Sequence, residues 1–419
     1  MKGYTVRATQ LMAVLTAISL VGASGFVAAE AHKPRARDLG IPFDGTPAKW
    51  NSITDVPGVE VGYSTIIRGE GLHAARTGVT VIFPRGKSDF EPVFAAWAPL
   101  NGVGEMTGVG LVQEEGILEG PIATTNSLSV GTVRDAVSKW MVQTWTWTEI
   151  CCLPVVAETH DGYLNDIASF FVREGDVFRA IQSASTGPLL EGNVGGGTGM
   201  TTYGFKGGAG TSSRVVDGSW GRYCVGVIVQ ANFGRRNQLR IAGVEVGREL
   251  ASMDHPHTSL DPKLDREQGS IIITIATDAP FLPHQLARLA KRATNGLART
   301  GSINDDLSGD IAIAFSTANR GQIIGVSSPS EEKLENATVG KVEMMPGSHI
   351  DPFFAAVTEA TEEAVINALI AADTMTGYKG HRVQAIDHEK VQALLRFHHM
   401  LVENSAQTAT PGTNSSLHP

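Results

Sequence analysis

Aromatic residues make up only 6% of the 419-residue sequence, so rings contribute less to packing than tight turns and close backbone approach. Cysteine is scarce as well. Cys151, Cys152 and Cys224 cannot build a disulfide framework, and the adjacent pair would have to close a strained ring, so all three read as buried apolar fillers. There is no excess of positive charge: 34 Lys and Arg against 43 Asp and Glu leave a net charge of -9, which disfavours nucleic acid and polyanionic partners. Beyond residue 29 no segment approaches the roughly 20 apolar residues of a membrane span. The twelve histidines offer no ligand spacing, since neither His255-Pro256-His257 nor His398-His399 has a cysteine or carboxylate partner in register, and no metal is expected. The glycine tract lacks both GxxxxGK[ST] and GxGxxG leading into a helix, so no nucleotide and no other cofactor is expected.

What is present is glycine, 47 residues of it, in a chain that is 42% hydrophobic and 18% charged, a composition that excludes disorder as the overall state. Lys2 and Arg7 precede an apolar, small-residue stretch over residues 11–29 that ends Val27-Ala28-Ala29, the pattern of a secretory signal cleaved after Ala29 or Ala31. Thr16, Ser19 and Ser24 make it a poor membrane anchor, so the mature protein is expected to be soluble, periplasmic or secreted, and free of the membrane. Residues 51–84 read as antiparallel strands, 127–142 as a helix, 153–158 as a strand and 163–173 as a short helix. Residues 192–210 read as glycine-rich loops or closely packed backbone, followed by a central strand over 224–230 and an exposed polar loop over 251–268. A β-branched strand over 271–277, a helix opened by Pro283, a strand over 311–316 and a helix over 353–371 complete the pattern. Strands and helices without a βα rhythm predict helices layered on a largely antiparallel or mixed sheet, in one domain over 30–404 with a disordered tail over 405–419.

Gly269-Ser270 stands where the polar loop meets the buried strand. Such pairs are ordinarily turns, but this one is also a candidate for self-cleavage, in which the Ser270 hydroxyl attacks the Gly269 carbonyl and becomes the side chain of a new N-terminus. An α-amine titrates at roughly pH 7.7 to 8.0, so it can act as base for its own hydroxyl. Ser308 and Asp310, two residues apart at a strand edge, are candidates for a proton relay, although the same residues also suit a plain polar turn. Asn232, ending the central strand, is a candidate oxyanion donor or a turn residue. Glu158, with His160 and Asp161 beside it, is a candidate for holding a substrate ammonium; adjacency of His160 and Asp161 does not establish a triad.

The ordered set Asn51-Ser52-Ile53-Thr54-Asp55-Val56-Pro57-Gly58-Val59, Arg76-Thr77-Gly78-Val79-Thr80-Val81, Asn101-Gly102-Val103-Gly104-Glu105, Gly195-Gly196-Gly197-Thr198-Gly199, Gln230-Ala231-Asn232 and Ser308-Gly309-Asp310 resembles the self-processing serine aminopeptidases, the family of L-aminopeptidase/D-esterase and the β-peptidyl aminopeptidases. The resemblance implies an αββα sandwich similar to N-terminal nucleophile hydrolases, with a different strand connectivity. It implies autocleavage between Gly269 and Ser270 into an α chain, 30–269, and a β chain from 270 that carries the tail, with Ser270 as nucleophile. Ser308 and Asp310 match the second serine and the acid, often glutamate in the family, that orient the nucleophile and its amine; Asn232 matches the oxyanion donor and Glu158 the carboxylate for the substrate's amino group. His160 stands where the family's motif usually has tyrosine. A homo-oligomer of αβ units is also implied.

The expected function is therefore an exported aminopeptidase that releases N-terminal residues from short peptides, amides or esters, β-peptides or D-residues among them, through an acyl-enzyme on Ser270. Two alternatives stand beside it: acyl transfer to an amine, as the distantly related ornithine acetyltransferases perform with a threonine, and a periplasmic binding protein without turnover. A histidine donates according to its charge and tautomer, whereas tyrosine donates at any neutral pH. Replacing His160 with tyrosine is expected to flatten the acidic limb of the kcat/KM profile, and a limb of unchanged slope would remove His160 from that role.

Overall fold

Two strands, Ser270–Thr277 and Gly309–Ser316, are buried along their whole length with apolar side chains on both faces, and the alternation along each divides these between two cores. The computed structural model describes residues 33–145, 153–253, 269–323 and 339–402. The expected export segment, Cys151, Cys152, His255-Pro256-His257 of the expected polar loop and the expected C-terminal tail lie outside these residues. On strand β11 (Ser270–Thr277), Ile271, Ile273 and Ile275 enter one core while Ile272 and Ala276 enter another. Strand β12 (Gly309–Ser316) divides in the same way, Ala312 and Ala314 to the first core, Ile311, Ile313 and Phe315 to the second. Period-2 geometry applied to an unbroken apolar run requires a layer on each face of the sheet.

Those layers are present. Strands β1 (Glu60–Arg68), β2 (Ala75–Phe83), β5 (Ile122–Asn126) and β6 (Val155–Thr159) form one sheet in that order, antiparallel except for the β5–β6 pair. The second sheet runs β4 (Ile117–Leu118), β3 (Val93–Gly102), β12, β11, β10 (Gly221–Asn232), β9 (Gly208–Gly218), antiparallel except for β11–β12. Their facing sides share a core that includes Ile82, Ile122, Val155, Ile228 and Ile272. Helices α2 (Val130–Trp145) and α3 (Glu174–Ser183) cover the outer face of the first sheet through Val133, Val137, Met141, Val177 and Ile181. Helices α5 (Pro283–Arg299) and α6 (Asp351–Ile370) cover the second through Leu286, Leu289, Ala293, Val357 and Ala364. The expected αββα sandwich on mixed sheets is the observed one.

Shorter elements sit at the margins: α1 (Val109–Glu115), α4 (Val246–Met253), α7 (His388–Phe397) and the hairpins β7 (Thr201–Thr202)–β8 (Phe205–Lys206) and β13 (Met375–Thr376)–β14 (Arg382–Val383). The short helix expected over 163–173 is not formed. That stretch holds one 3-10 turn, Ile167–Ser169, and the helix begins only at Glu174, where the Arg173 amide donates to Asp176 at 2.8 Å. The glycine tract is closely packed rather than looped: a Cβ on Gly196 would stand 1.9 Å from Gln230 Oε1 and 2.8 Å from the Thr124 carbonyl, so only glycine fits between the sheets here. Beside it Gln230 Nε2 crosses from the second sheet to the Thr125 carbonyl and Thr159 Oγ1, each at 2.8 Å, which pins β10 against the C-terminal ends of β5 and β6.

The turn that follows β6 is built on Asp161, which is 1% exposed. Its carbonyl accepts the Leu164 and Asn165 amides at 3.1 and 3.0 Å, and its carboxyl accepts Asn165 Nδ2 at 3.0 Å. Burial pushes this carboxyl up to about 7, against hydrogen bonds from Thr77 and Asn165 that favour the ionised form. In the unfolded chain it ionises near 3.8, so between about pH 4 and about pH 7 the folded state binds more protons and stability falls as pH rises, levelling off above that window. The slope is on the order of 1.4 kcal/mol per pH unit. Melting temperatures of Asp161→Asn and wild type are expected to diverge in the variant's favour from pH 4 to pH 7; parallel curves would show that Asp161 does not titrate there.

Candidate active site

Ser270 opens β11 with Asn232 beside it on antiparallel β10 and Gly309 beside it on parallel β12, and Gly309 in turn faces Gly102 on β3. The sheet register therefore puts the proposed nucleophile and the proposed oxyanion donor in one row at one end of the sheet. Ser270 Oγ donates to the Gly269 carbonyl oxygen at 2.7 Å, and the Gly309 amide donates to the same oxygen at 3.0 Å. Gly269 is needed because of how closely the end of β10 approaches it. Its backbone is not in the left-handed region; instead a Cβ would stand 2.7 Å from Phe233 Cα and 2.8 Å from the Asn232 carbonyl.

Asn232 is oriented by its oxygen. The Thr201 amide donates to Oδ1 at 2.8 Å, so Nδ2 must face the other way, where one of its hydrogens reaches the His160 carbonyl at 3.0 Å. An amide nitrogen has two donors, and the second is left for the cleft that Asn232 lines.

Ser308 Oγ donates to Asp310 Oδ1 at 2.6 Å, and Asn304 Nδ2 donates to Oδ2 at 2.8 Å. Both Ser308 and Asp310 are buried. Burial raises the Asp310 carboxyl above the usual range, while the bonds from Ser308 and Asn304 pull it back. Because the Ser308 hydroxyl is committed to Asp310, its oxygen is left to accept. The pairing of β12 with β3 shifts register between Asp310 and Ile311, a bulge of the kind that re-aims residues beside functional sites.

Glu158 lies across the cleft at the end of β6, 7% exposed. Oε1 accepts the Glu105 amide at 3.1 Å and Oε2 accepts the Ser127 hydroxyl. A cavity of about 550 Å³ is lined by Ser127, Glu158, His160, Asn232, Gly269 and Ser270 among others, and this size suits a small ligand. The His160 ring also lines it; its Nδ1 accepts the Gly162 amide at 3.3 Å, which leaves Nε2 to carry the proton of the neutral ring. Asp161 turns to Asn165 and Thr77, so adjacency to His160 makes no triad.

Every residue singled out for chemistry thus gathers at one end of the sandwich, on the cleft or directly beneath it. Several partners were missed. Ser127 meets Glu158 because β5 and β6 are parallel and their C-terminal ends lie together, Asn126 opposite Thr159. Thr201 and the Gly309 amide were hidden as well, since the packing of the β7–β8 hairpin on the end of β10 and the pairing of β12 with β11, not spacing, bring them in. Cys224 is buried and burial raises its thiol far above the ordinary range, in keeping with a filler.

The family model "Peptidase family S58" matches residues 51–383, which span both sheets and every residue of the site. The chain is 48% identical to beta-peptidyl aminopeptidase BapA of Sphingosinicella microcystinivorans, over 92% of this chain and 96% of that one, and 44% identical to BapA of Sphingosinicella xenopeptidilytica, over 87% and 91%. Among solved structures, L-aminopeptidase D-Ala-esterase/amidase from Ochrobactrum anthropi, described as a prototype for the serine aminopeptidases and a new variant among the Ntn hydrolase fold, superposes with a TM-score of 0.80 at 44% identity, covering 88% of this chain and 100% of that one. A beta-aminopeptidase from Burkholderia sp. superposes at 0.79 with 45% identity, covering 87% and 99%. A buried serine at the head of a central strand, in a cleft with a carboxylate on its far wall, is thus embedded in similarity that runs almost the length of these proteins, and the chain belongs to peptidase family S58, as an aminopeptidase.

Proposed function

We propose that the chain is exported, cuts itself between Gly269 and Ser270, and then hydrolyses short peptides, amides or esters with a free amino group through an acyl-enzyme on Ser270. One observation carries this reading: Ser270 Oγ stands against the carbonyl of the preceding residue, 2.7 Å from its oxygen, while the Gly309 amide polarises that oxygen from the neighbouring strand. In self-cleavage Oγ bonds to the Gly269 carbonyl carbon, the C–N bond breaks, and the peptide nitrogen leaves with the hydroxyl proton as the new α-amine. Water then hydrolyses the ester and releases Gly269 as a carboxylate.

In the cut form the α-amine of Ser270 takes the Oγ proton as Oγ adds to the substrate carbonyl. The oxyanion accepts the second N–H of Asn232, a donor already held in place by Thr201. The proton passes from the α-ammonium to the leaving amine as the acyl-enzyme forms, and water, activated by the same amine, completes turnover. Ser308 accepts from the amine because Asp310 holds its hydroxyl. Glu158 takes the substrate ammonium, and the names of the curated relatives support β-aminoacyl residues among those released. A homo-oligomer of cut units is the assembly proposed.

Intact mass spectrometry of wild type is expected to give two chains meeting at Gly269 and Ser270, the first beginning at Glu30 or His32. Ser270→Ala should stay in one piece at that junction and lose at least about a thousandfold in turnover. An uncut wild-type chain with full activity would overturn the mechanism. Glu158→Gln is expected to lower kcat/KM for free-amine substrates about tenfold to a hundredfold, the range of a lost charged hydrogen bond, and to shrink their advantage over N-acetylated analogues. Equal losses on both kinds of substrate would remove Glu158 as the amine's anchor.

A further inference from the structure

The cleft has a second charged feature that the hydrolytic machinery does not use. Among the described residues lining the cavity, Glu158 is the single carboxylate and Lys379 the single lysine or arginine. Lys379 lies in the 3-10 turn Tyr378–Gly380 between β13 and β14, with its ammonium 4.9 Å from the ring centroid of Tyr378, which lines the same cavity. Its backbone is left-handed, φ 56° and ψ 19°, a conformation that residues other than glycine seldom adopt and that recurs at ligand-binding positions.

The turn is not a loose surface loop. The Tyr378 amide donates to the Leu164 carbonyl at 2.7 Å, and Arg76 Nε donates to the Thr376 carbonyl at 2.8 Å. His381 Nδ1 lies 2.9 Å from the Tyr163 carbonyl, and the two rings stack at 4.3 Å. Leu164 and Tyr163 belong to the Asp161 turn that directly follows Glu158 and His160. Lys379 and Glu158 are thus carried by two segments bolted to each other, which fixes the base of the lysine relative to the carboxylate, while its long side chain keeps its reach.

A cavity of this size with one negative and one positive group matches a small zwitterion. We infer that Lys379 receives the C-terminal carboxylate of a short peptide whose ammonium is held by Glu158, so that this aminopeptidase prefers free dipeptides to their C-terminal amides. The inference rests on the proposed role of Glu158, and it names the leaving side of the same site. A longer peptide would carry its carboxylate past the lysine and lose this contact.

The test compares an aminoacyl-leucine that the wild type turns over, α- or β-aminoacyl, with its C-terminal amide. The wild-type ratio of kcat/KM, acid over amide, is expected to be about three to five, because an exposed charge pair contributes modestly. It should fall to about one in Lys379→Met, invert in Lys379→Glu and persist in Lys379→Arg, and the wild-type ratio should shrink as salt is raised. Intact masses confirm that each variant is cut as the wild type is. A wild-type ratio near one, or a ratio unchanged in Lys379→Met, overturns the inference, since a lysine that merely braces the turn would lower both rates together. Failure of the Glu158 role reads differently: Glu158→Gln would then leave the preference for free over acetylated amines intact, whatever the acid-to-amide ratio.

Discussion

The parallel pairing of β11 with β12, inside an otherwise antiparallel sheet, is the constraint on which the site depends. It sets the first residue of one strand beside the first residue of the other, Ser270 beside Gly309, so that the amide of the second strand can reach the carbonyl that precedes the first. Antiparallel β10 ends at the same level and brings Asn232. Register in a doubly buried sheet is rigidly specified, because a slip of one residue would exchange the two apolar faces of β11, Ile271, Ile273 and Ile275 for Ile272 and Ala276. The hydrophobic layers thereby hold a polar constellation to ångström tolerances without touching it.

The sheets also have to stay in fixed relation, because Glu158 comes from one and Ser270 from the other. Gln230 links them close to the cleft, and the buried glycines at 195–197 allow the approach. Farther from the cleft, Glu363 on α6 is fully buried and bonds Arg37 and Arg214 at 2.8 Å each. Burial opposes its charge, yet the two guanidiniums and Asn51 hold its carboxyl below the ordinary range. This cluster ties the N-terminal turn that carries Arg37 to the helix layer over the second sheet.

Much of this was legible in the sequence where a pattern is local. The apolar run over 271–277 announced a strand covered on both faces, Pro283 announced the start of a helix, and both are found within a residue or two of the expected place. The chemically distinctive residues were legible as well, because their motifs carry a family resemblance over most of the chain. What stayed hidden depends on pairing between distant segments. Nothing in the spacing of Ser127 and Glu158, Thr201 and Asn232, or Arg37 and Glu363 brings them together; the parallel β5–β6 pair, the β7–β8 hairpin and helix α6 do. The short helix expected over 163–173 fails to form for a related reason, since there the chain follows the buried hydrogen bonds of Asp161 rather than its own helical tendency.

The position of Gly269–Ser270 within the sheet has a consequence for how the molecule can be taken apart. Strands β11 and β12 lie between β10 and β3, which come from the other side of that junction, so neither portion of the chain owns a complete core. A break there would leave the interlocked halves as one body, and only complete denaturation would separate them. Reassembly would then require an encounter of two molecules instead of the closing of a single chain, and it would slow with dilution. Maturation of the proposed kind would act as a ratchet: folding would precede the cut, and after it the native state would rest on never having let go.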